Sequence, residues 1–260
     1  MIFAIYYTRV GKPFLNKFTE FFPNLKDDLD KRFPDNVDNE ISLCFQSIKR
    51  FHPEARLVLL TDQKTPVQTL EDVEVVRYDV DPEQPAYMRL KAQRQFLLSV
   101  TTSEPIVFCD YDLLYQDSID PLFNNDFDLA FVYRKAYHGS AHPAPLNGGF
   151  MGIHSKSLAK AIHFLEAIHS YYLKHFPGYK EWGGYQASLN EFIGAENIHN
   201  AFPNPVTVDG IRILLLPSTK YNYAIETETG IIDFKPEKKI LHFKGARKEA
   251  MADYWNTYLA

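Results

Sequence analysis

The sequence predicts an α/β fold with a mostly parallel central sheet flanked by helices. Two observations carry this: short apolar runs rich in β-branched and aromatic residues, and helical periodicities lodged between them. A length of 260 residues with 45% hydrophobic side chains is enough to bury one sizeable core.

The first apolar run is Ile2–Tyr7. Residues 9–37 follow. This stretch is long for a plain loop and holds Phe14, Phe18, Phe21, Phe22 and a charged run from Lys26 to Arg32, so it reads as a helical insertion or lid. Ile41, Cys44, Phe45 and Ile48 then recur on one helical face, with Asp38 and Asn39 as N-cap candidates. Strands are expected over Arg56–Thr61 and Val73–Tyr78, a helix over Met88–Ser99, and strands over Pro105–Cys109 and Asp128–Tyr133. Asn147, Gly148 and Gly149 read as a tight turn ahead of an apolar strand. The clearest helix is Ser155–Phe176, with Leu158, Ile162, Leu165, His169 and Tyr172 at helical spacing and Pro177-Gly178 as its stop. A further helix opens after Gly183-Gly184 with Gln186 in its first turn, and a strand covers Ile211–Leu216. Finally, the stretch Ile240–Lys248 runs a strand into a glycine loop bearing Lys244, Arg247 and Lys248. No repeat, low-complexity tract or flexible linker interrupts the chain, so residues 1–260 are read as a single domain.

Composition narrows the function. A net charge of −5 leaves no basic footprint for nucleic acid. Cys44 and Cys109, each in an apolar stretch, supply neither a disulfide framework nor a thiolate zinc site. No apolar run approaches the roughly 18 residues that span a bilayer, and no basic leader precedes the first run, so the chain reads as cytoplasmic with no transmembrane segment.

In open α/β sheets, ligands gather beyond the carboxyl ends of the strands. That rule sorts the four Asp-x-Asp pairs. Asp28/Asp30 lies in the charged insertion, Asp126/Asp128 precedes its strand, and Asp79/Asp81 leads into a proline turn. Asp110/Asp112 directly follows the run ending at Cys109. Two carboxylates held there repel unless a cation lies between them, and Mg²⁺ or Mn²⁺ would relieve the repulsion and receive a diphosphate. A helix cap or turn is the alternative. Backbone amides and cations around Gly245 suit phosphate oxygens.

Taken in order, these stretches resemble the GT-A-fold nucleotide-sugar glycosyltransferases, in particular the glycogenin and bacterial galactosyltransferase family (glycosyltransferase family 8). The resemblance rests on Ile106–Asp112, Asn147–Gly149, Gln186–Asn190, Tyr221–Tyr223 and the His242-Phe-x-Gly245-x-x-Lys248 ending. It implies that Asp110, Asp112 and His242 hold a metal, Mn²⁺ or alternatively Mg²⁺, and that Gly245 and Lys248 form a phosphate loop. It further implies that Tyr6, Tyr7 and Thr8 hold uridine, that Tyr111 lies by the ribose, and that Arg89 and Lys91 contact the donor. Asn147, Gly148 and Gly149 become the sugar-side turn, with Gln186 beneath the reacting sugar. The implied activity is retaining transfer of a hexose from a UDP-sugar to a carbohydrate or protein acceptor; the alternative is a non-catalytic sugar-nucleotide-binding protein of the same fold. Tyr185 stands where the family usually has Asp, and Glu249-Ala250 replaces a Pro-Trp pair.

Several residues stay open between two readings. Asp62 either faces uracil or caps a turn, and Trp182 and Tyr185 either stack on a sugar or sit in the core. His138 and His142 either face an acceptor or belong to a polar loop, while His163, His169 and His175 read as packing residues.

Overall fold

In the computed structural model, residues 1–34, 37–137, 140–176, 184–225 and 233–260 are described. Strand β1 (Ile2–Tyr6) is followed by helix α1 (Lys12–Phe21), a 3₁₀ turn (Pro23–Asp28) and helix α2 (Leu29–Arg32). The expected insertion is therefore helical. Pro13 starts α1, where its missing N–H is harmless. The rings of Phe14 and Phe18 pack edge-on against Phe33 at 5.3 and 5.0 Å, giving the insertion an aromatic core.

Helix α3 (Asp38–Phe51) begins one residue earlier than its predicted caps, with Val37 at the cap position. Asp38 and Glu40 sit in its first turn and Lys49 and Arg50 in its last, charges that complement the helix dipole. Then come β2 (Arg56–Asp62), β3 (Val73–Tyr78), α4 (Pro85–Ser99), β4 (Ile106–Cys109), β5 (Leu113–Tyr115), β6 (Leu129–Tyr133) and the short pair β7 (Ala136–Tyr137) and β8 (Ser140–Ala141). The second half adds β9 (Leu146–Ile153), α5 (Leu158–His175), α6 (Gly184–Ile193), α7 (Ala195–Ala201), β10 (Val206–Val208) and β11 (Ile211–Pro217). Helix α8 (Ser218–Tyr221), β12 (Tyr223–Ala224), β13 (Ile240–His242), a 3₁₀ turn (Gly245–Ala250), α9 (Met251–Tyr254) and a π-helical turn (Trp255–Leu259) follow.

The main sheet has eight strands in the order β10-β11-β6-β9-β4-β1-β2-β3. The stretch β3-β2-β1-β4 is wholly parallel, as expected. Beyond it the sheet is mixed, because β9 lies antiparallel to both β4 and β6. Side chains of β1 and β4 alternate between the two faces: Phe3, Ile5, Val107 and Cys109 enter one apolar cluster, and Ile2, Ala4, Ile106 and Phe108 the other. Helix α3 supplies the first cluster; α4, α5 and α6 supply the second.

Asn147–Gly149 is no turn. It lies inside β9, all eight residues of which are buried. Phe131 pairs with Met151 but Val132 with Asn147, so the chain bulges through Gly148 and Gly149. This bulge falls beside the end of β4, where the Asp110 amide donates to the Gly149 carbonyl at 2.9 Å.

Candidate active site

The carboxyl ends of parallel β1, β2 and β4 share one edge, and antiparallel β9 begins there. Above that edge lies a cavity of about 570 Å³. Tyr6, Tyr7, Thr8, Arg89, Asp110, Tyr111, Asp112, Asn147, Gly148, Gly149, Gln186 and Lys248 all line it. The insertion forms another wall through Leu15, Arg32, Phe33 and Pro34.

Sheet register explains how His242 reaches Asp112 from the far end of the chain. Strand β13 pairs antiparallel with β5, setting His242 opposite Leu113, and the Phe243 amide donates to the Asp112 carbonyl at 2.9 Å. His242 Nε2 then stands 3.0 Å from Asp112 Oδ1 and 3.7 Å from Asp110 Oδ2. On the other side of the ring, Nδ1 lies 2.8 Å from Asn222 Oδ1, so an Nδ1–H donated there directs Nε2 at the carboxylates. Potential ligand atoms of Asp110, Asp112 and His242 all fall within 4.8 Å of one another.

Two carboxylate oxygens about that far apart repel by about 3 kcal/mol at an effective dielectric near 20. Each has a cation outside the cluster. Arg89 Nη1 donates to Asp110 Oδ1 at 2.5 Å, while its Nη2 donates to the Gly148 carbonyl at 2.8 Å. Lys248 Nζ lies 3.8 Å from Asp112 Oδ2 and 5.1 Å from the Tyr111 ring centre. Burial works against ionisation of Asp112, but His242 and Lys248 outweigh it and hold the carboxyl below its usual range. Two carboxylates and one imidazole form a hard oxygen-and-nitrogen set suited to a divalent cation.

Other contacts fix the walls. Tyr7 and Tyr111 meet edge-to-face at 5.5 Å. Asn147 Oδ1 accepts from the Gly149 amide at 2.7 Å, so it props the bulge. Gln186 Oε1 accepts a long 3.4 Å bond from the Gly148 amide. Asn190 pins α6 to β9, accepting from the Leu146 amide at 2.6 Å and donating to its carbonyl at 3.0 Å. Tyr185 lies beneath Gly148, where a methyl group would come within 2.8 Å of the ring. Burial pushes its phenol up to about 12.

Three expected residues do not line the cavity, although His242 does join the acidic pair. Lys91 does not line the cavity; its Nζ donates to the Asp79 carbonyl at 3.2 Å. One helical turn places Arg89 toward the sheet edge and leaves a residue two positions on facing another way. His242 stands behind the carboxylates, and Gly245 stands behind Arg32. Asp62 is used as a turn cap, accepting from Thr8 Oγ1 at 2.6 Å and from the Lys64 and Thr65 amides at 2.7 and 2.8 Å. His142 accepts from the Ala144 amide at 3.0 Å, and burial lowers its imidazole to about 4. His169 bonds the Tyr87 hydroxyl at 3.0 Å and is a packing residue. The stop at Pro177-Gly178, Trp182 and His138 lie outside the described residues.

No protein-family model matches the chain, and no curated protein does. Solved structures do. A galactosyltransferase, LgtC, in complex with donor and acceptor sugar analogues aligns over 100% of this chain and 97% of its own, at 11% identity and a TM-score of 0.53. The glycosyltransferase GlyE of Streptococcus pneumoniae TIGR4 aligns over 97% of this chain at 15% identity and a TM-score of 0.56, with 59% of GlyE covered. A glycosyltransferase involved in glycosylation of the major capsid of PBCV-1 covers 96% of this chain and 98% of its own at 12% identity, with a TM-score of 0.53. The chain has the GT-A fold. In this GT-A chain the carboxyl edge of the parallel strands carries the acidic pair, and the insertion read as a lid forms one wall of the cavity; Asn222 as the partner of His242 was not assigned from sequence. Asn222 sat in a recognised stretch, but its role needed the β12–β13 pairing to appear.

Proposed function

We propose that this chain is a metal-dependent hexosyltransferase that takes its sugar from a nucleotide-sugar, a UDP-sugar by the resemblance, with retention of configuration. The observation that carries the reading is the convergence of Asp110, Asp112 and His242, with both carboxylates lining the cavity and the imidazole directly behind them. Those three side chains would hold Mn²⁺ or Mg²⁺, which when bound neutralises charge on the leaving diphosphate. The chain's own residues do the rest. Arg89 holds Asp110 against the Gly148 carbonyl, and Asn222 fixes the imidazole ring of His242. Lys248 brings a buried positive charge to the same wall, where negative charge builds on the departing group. The Tyr7–Tyr111 pair offers an aromatic surface to the base and ribose, and Gln186 stands on the sugar side. Breaking a sugar–diphosphate bond in this way needs no nucleophilic Ser or Cys.

A second reading, a sugar-nucleotide-binding protein without turnover, is favoured by Tyr185. A buried phenol stands there in place of the carboxylate that the resemblance leads one to expect. Incubation with a panel of UDP-sugars and Mn²⁺ separates the two. The transferase releases UDP, with free sugar in the absence of an acceptor; the binder takes up UDP and releases nothing. Among the described residues, no helix is long and apolar enough to cross a membrane.

A further inference from the structure

We infer that Arg32, carried by the insertion, is a ligand of the donor diphosphate and completes a clamp with Lys248. This rests on reading the cavity as a nucleotide-sugar site, and it adds a residue from a segment that lies outside the stretches carrying the resemblance.

The geometry has three parts. First, the Arg32 guanidinium lies against the glycine turn: a methyl group on Gly245 would fall 3.1 Å from Nη1 and 3.4 Å from Cζ. Gly245 has φ +61°, so a side chain there is disfavoured on backbone grounds as well. Second, Lys248 Nζ donates to the Arg32 carbonyl at 2.8 Å while standing 3.8 Å from Asp112 Oδ2. The end of α2 is thereby tied to the acidic pair through one lysine. Third, Lys31 and Glu249 form an ion pair at 3.5 Å on the outer side, so α2 docks on the turn by both neighbouring residues.

Arg32 and Lys248 both line the cavity that holds Asp110 and Asp112. Arg89 and Lys248 already face those two carboxylates. Arg32 and Lys248 thus stand side by side on the cavity wall, an arrangement that matches a ligand bearing several negative charges. A planar guanidinium suits phosphate oxygens, which it can grip through two parallel N–H donors. On this geometry the insertion acts as a phosphate-contacting wall as well as a cover.

Binding of UDP and of uridine to wild type, Arg32→Ala and Arg32→Gln, each with Mn²⁺, tests the inference by calorimetry, with melting temperature as the folding control. Loss of a charge-assisted contact predicts UDP affinity weakened about tenfold or more in both variants, with uridine affinity within about twofold of wild type. Arg32→Lys, which keeps charge but not the fork, falls between. Unchanged UDP affinity in both folded variants overturns the inference and leaves the proposed function standing. A parallel loss of UDP and uridine also overturns it, since Arg32 would then only shape the pocket. Failure of wild type to bind UDP at all removes both.

Discussion

Replacing Gly149 with Ala tests how tightly the bulge and the acidic pair are built together. The position has no positive φ, so alanine meets no backbone penalty and the effect is steric. The new methyl group would fall 2.7 Å from Asn147 Oδ1 and closer still to Asp110 Oδ2. Asp110 cannot retreat freely, because Arg89 Nη1 holds its other oxygen at 2.5 Å. Either that bond breaks or β9 shifts away from β4. Overpacking of this kind costs about 1–3 kcal/mol, and a broken charge-assisted bond is of similar size. At roughly 2–4 °C per kcal/mol for a chain this long, the melting temperature should fall by several degrees. Displacing one ligand should also weaken Mn²⁺-dependent UDP binding, by about tenfold. Differential scanning and isothermal calorimetry read the two effects. A Gly149→Ala protein with wild-type melting and wild-type UDP affinity would show that Asp110 is not fixed between Gly149 and Arg89.

Asn222→Leu, which removes the partner of His242 Nδ1 while keeping volume, should lower Mn²⁺ affinity about 10–100-fold by titration; unaltered affinity would free His242 from that dependence. Tyr185→Phe removes a buried hydroxyl that has no hydrogen-bond partner among the described residues, so stability to urea should hold or rise by about 1 kcal/mol, whereas a clear loss would reveal a bond to that oxygen. Asp62→Ala deprives Thr8, Lys64 and Thr65 of their shared acceptor and should cost about 1–3 kcal/mol at neutral pH. Burial opposes ionisation of Asp62, but its hydroxyl and amide donors prevail and depress its native value. Its contribution is therefore complete above the unfolded carboxyl value near pH ~4 and disappears as pH falls through the lower native one. The gap between wild type and Asp62→Ala should shrink in acid; a gap that widens there contradicts the sign.

Much of the central sheet was legible because its inner strands are buried on both faces and read as continuous apolar runs, while the half-exposed edge strand Val73–Tyr78 still carries β-branched residues. Val73–Tyr78 matched to the residue, and Ile2–Tyr6 and Arg56–Asp62 to within one. Asn147–Gly149 misled because glycine pairs mark both turns and bulges, and only the pairing of β9 between β4 and β6 decides. Asp110 and Asp112 were singled out by their place after a buried strand; His242 needed the resemblance, since nothing local links it to β5 before the register is known. Lys91 was carried over with Arg89, yet two residues along a helix point apart. Arg32 was hidden in a charged run whose plain reading is a solvated face, and only its docking on the glycine turn distinguishes it.

The most direct test of the central claim is calorimetric titration of UDP into wild type and Asp112→Asn, each with Mn²⁺ and with chelator. A shared ion held by Asp110, Asp112 and His242 requires that Mn²⁺ tighten UDP binding in wild type and that Asp112→Asn abolish this gain while the protein stays folded. UDP affinity indifferent to both the metal and the substitution would contradict it.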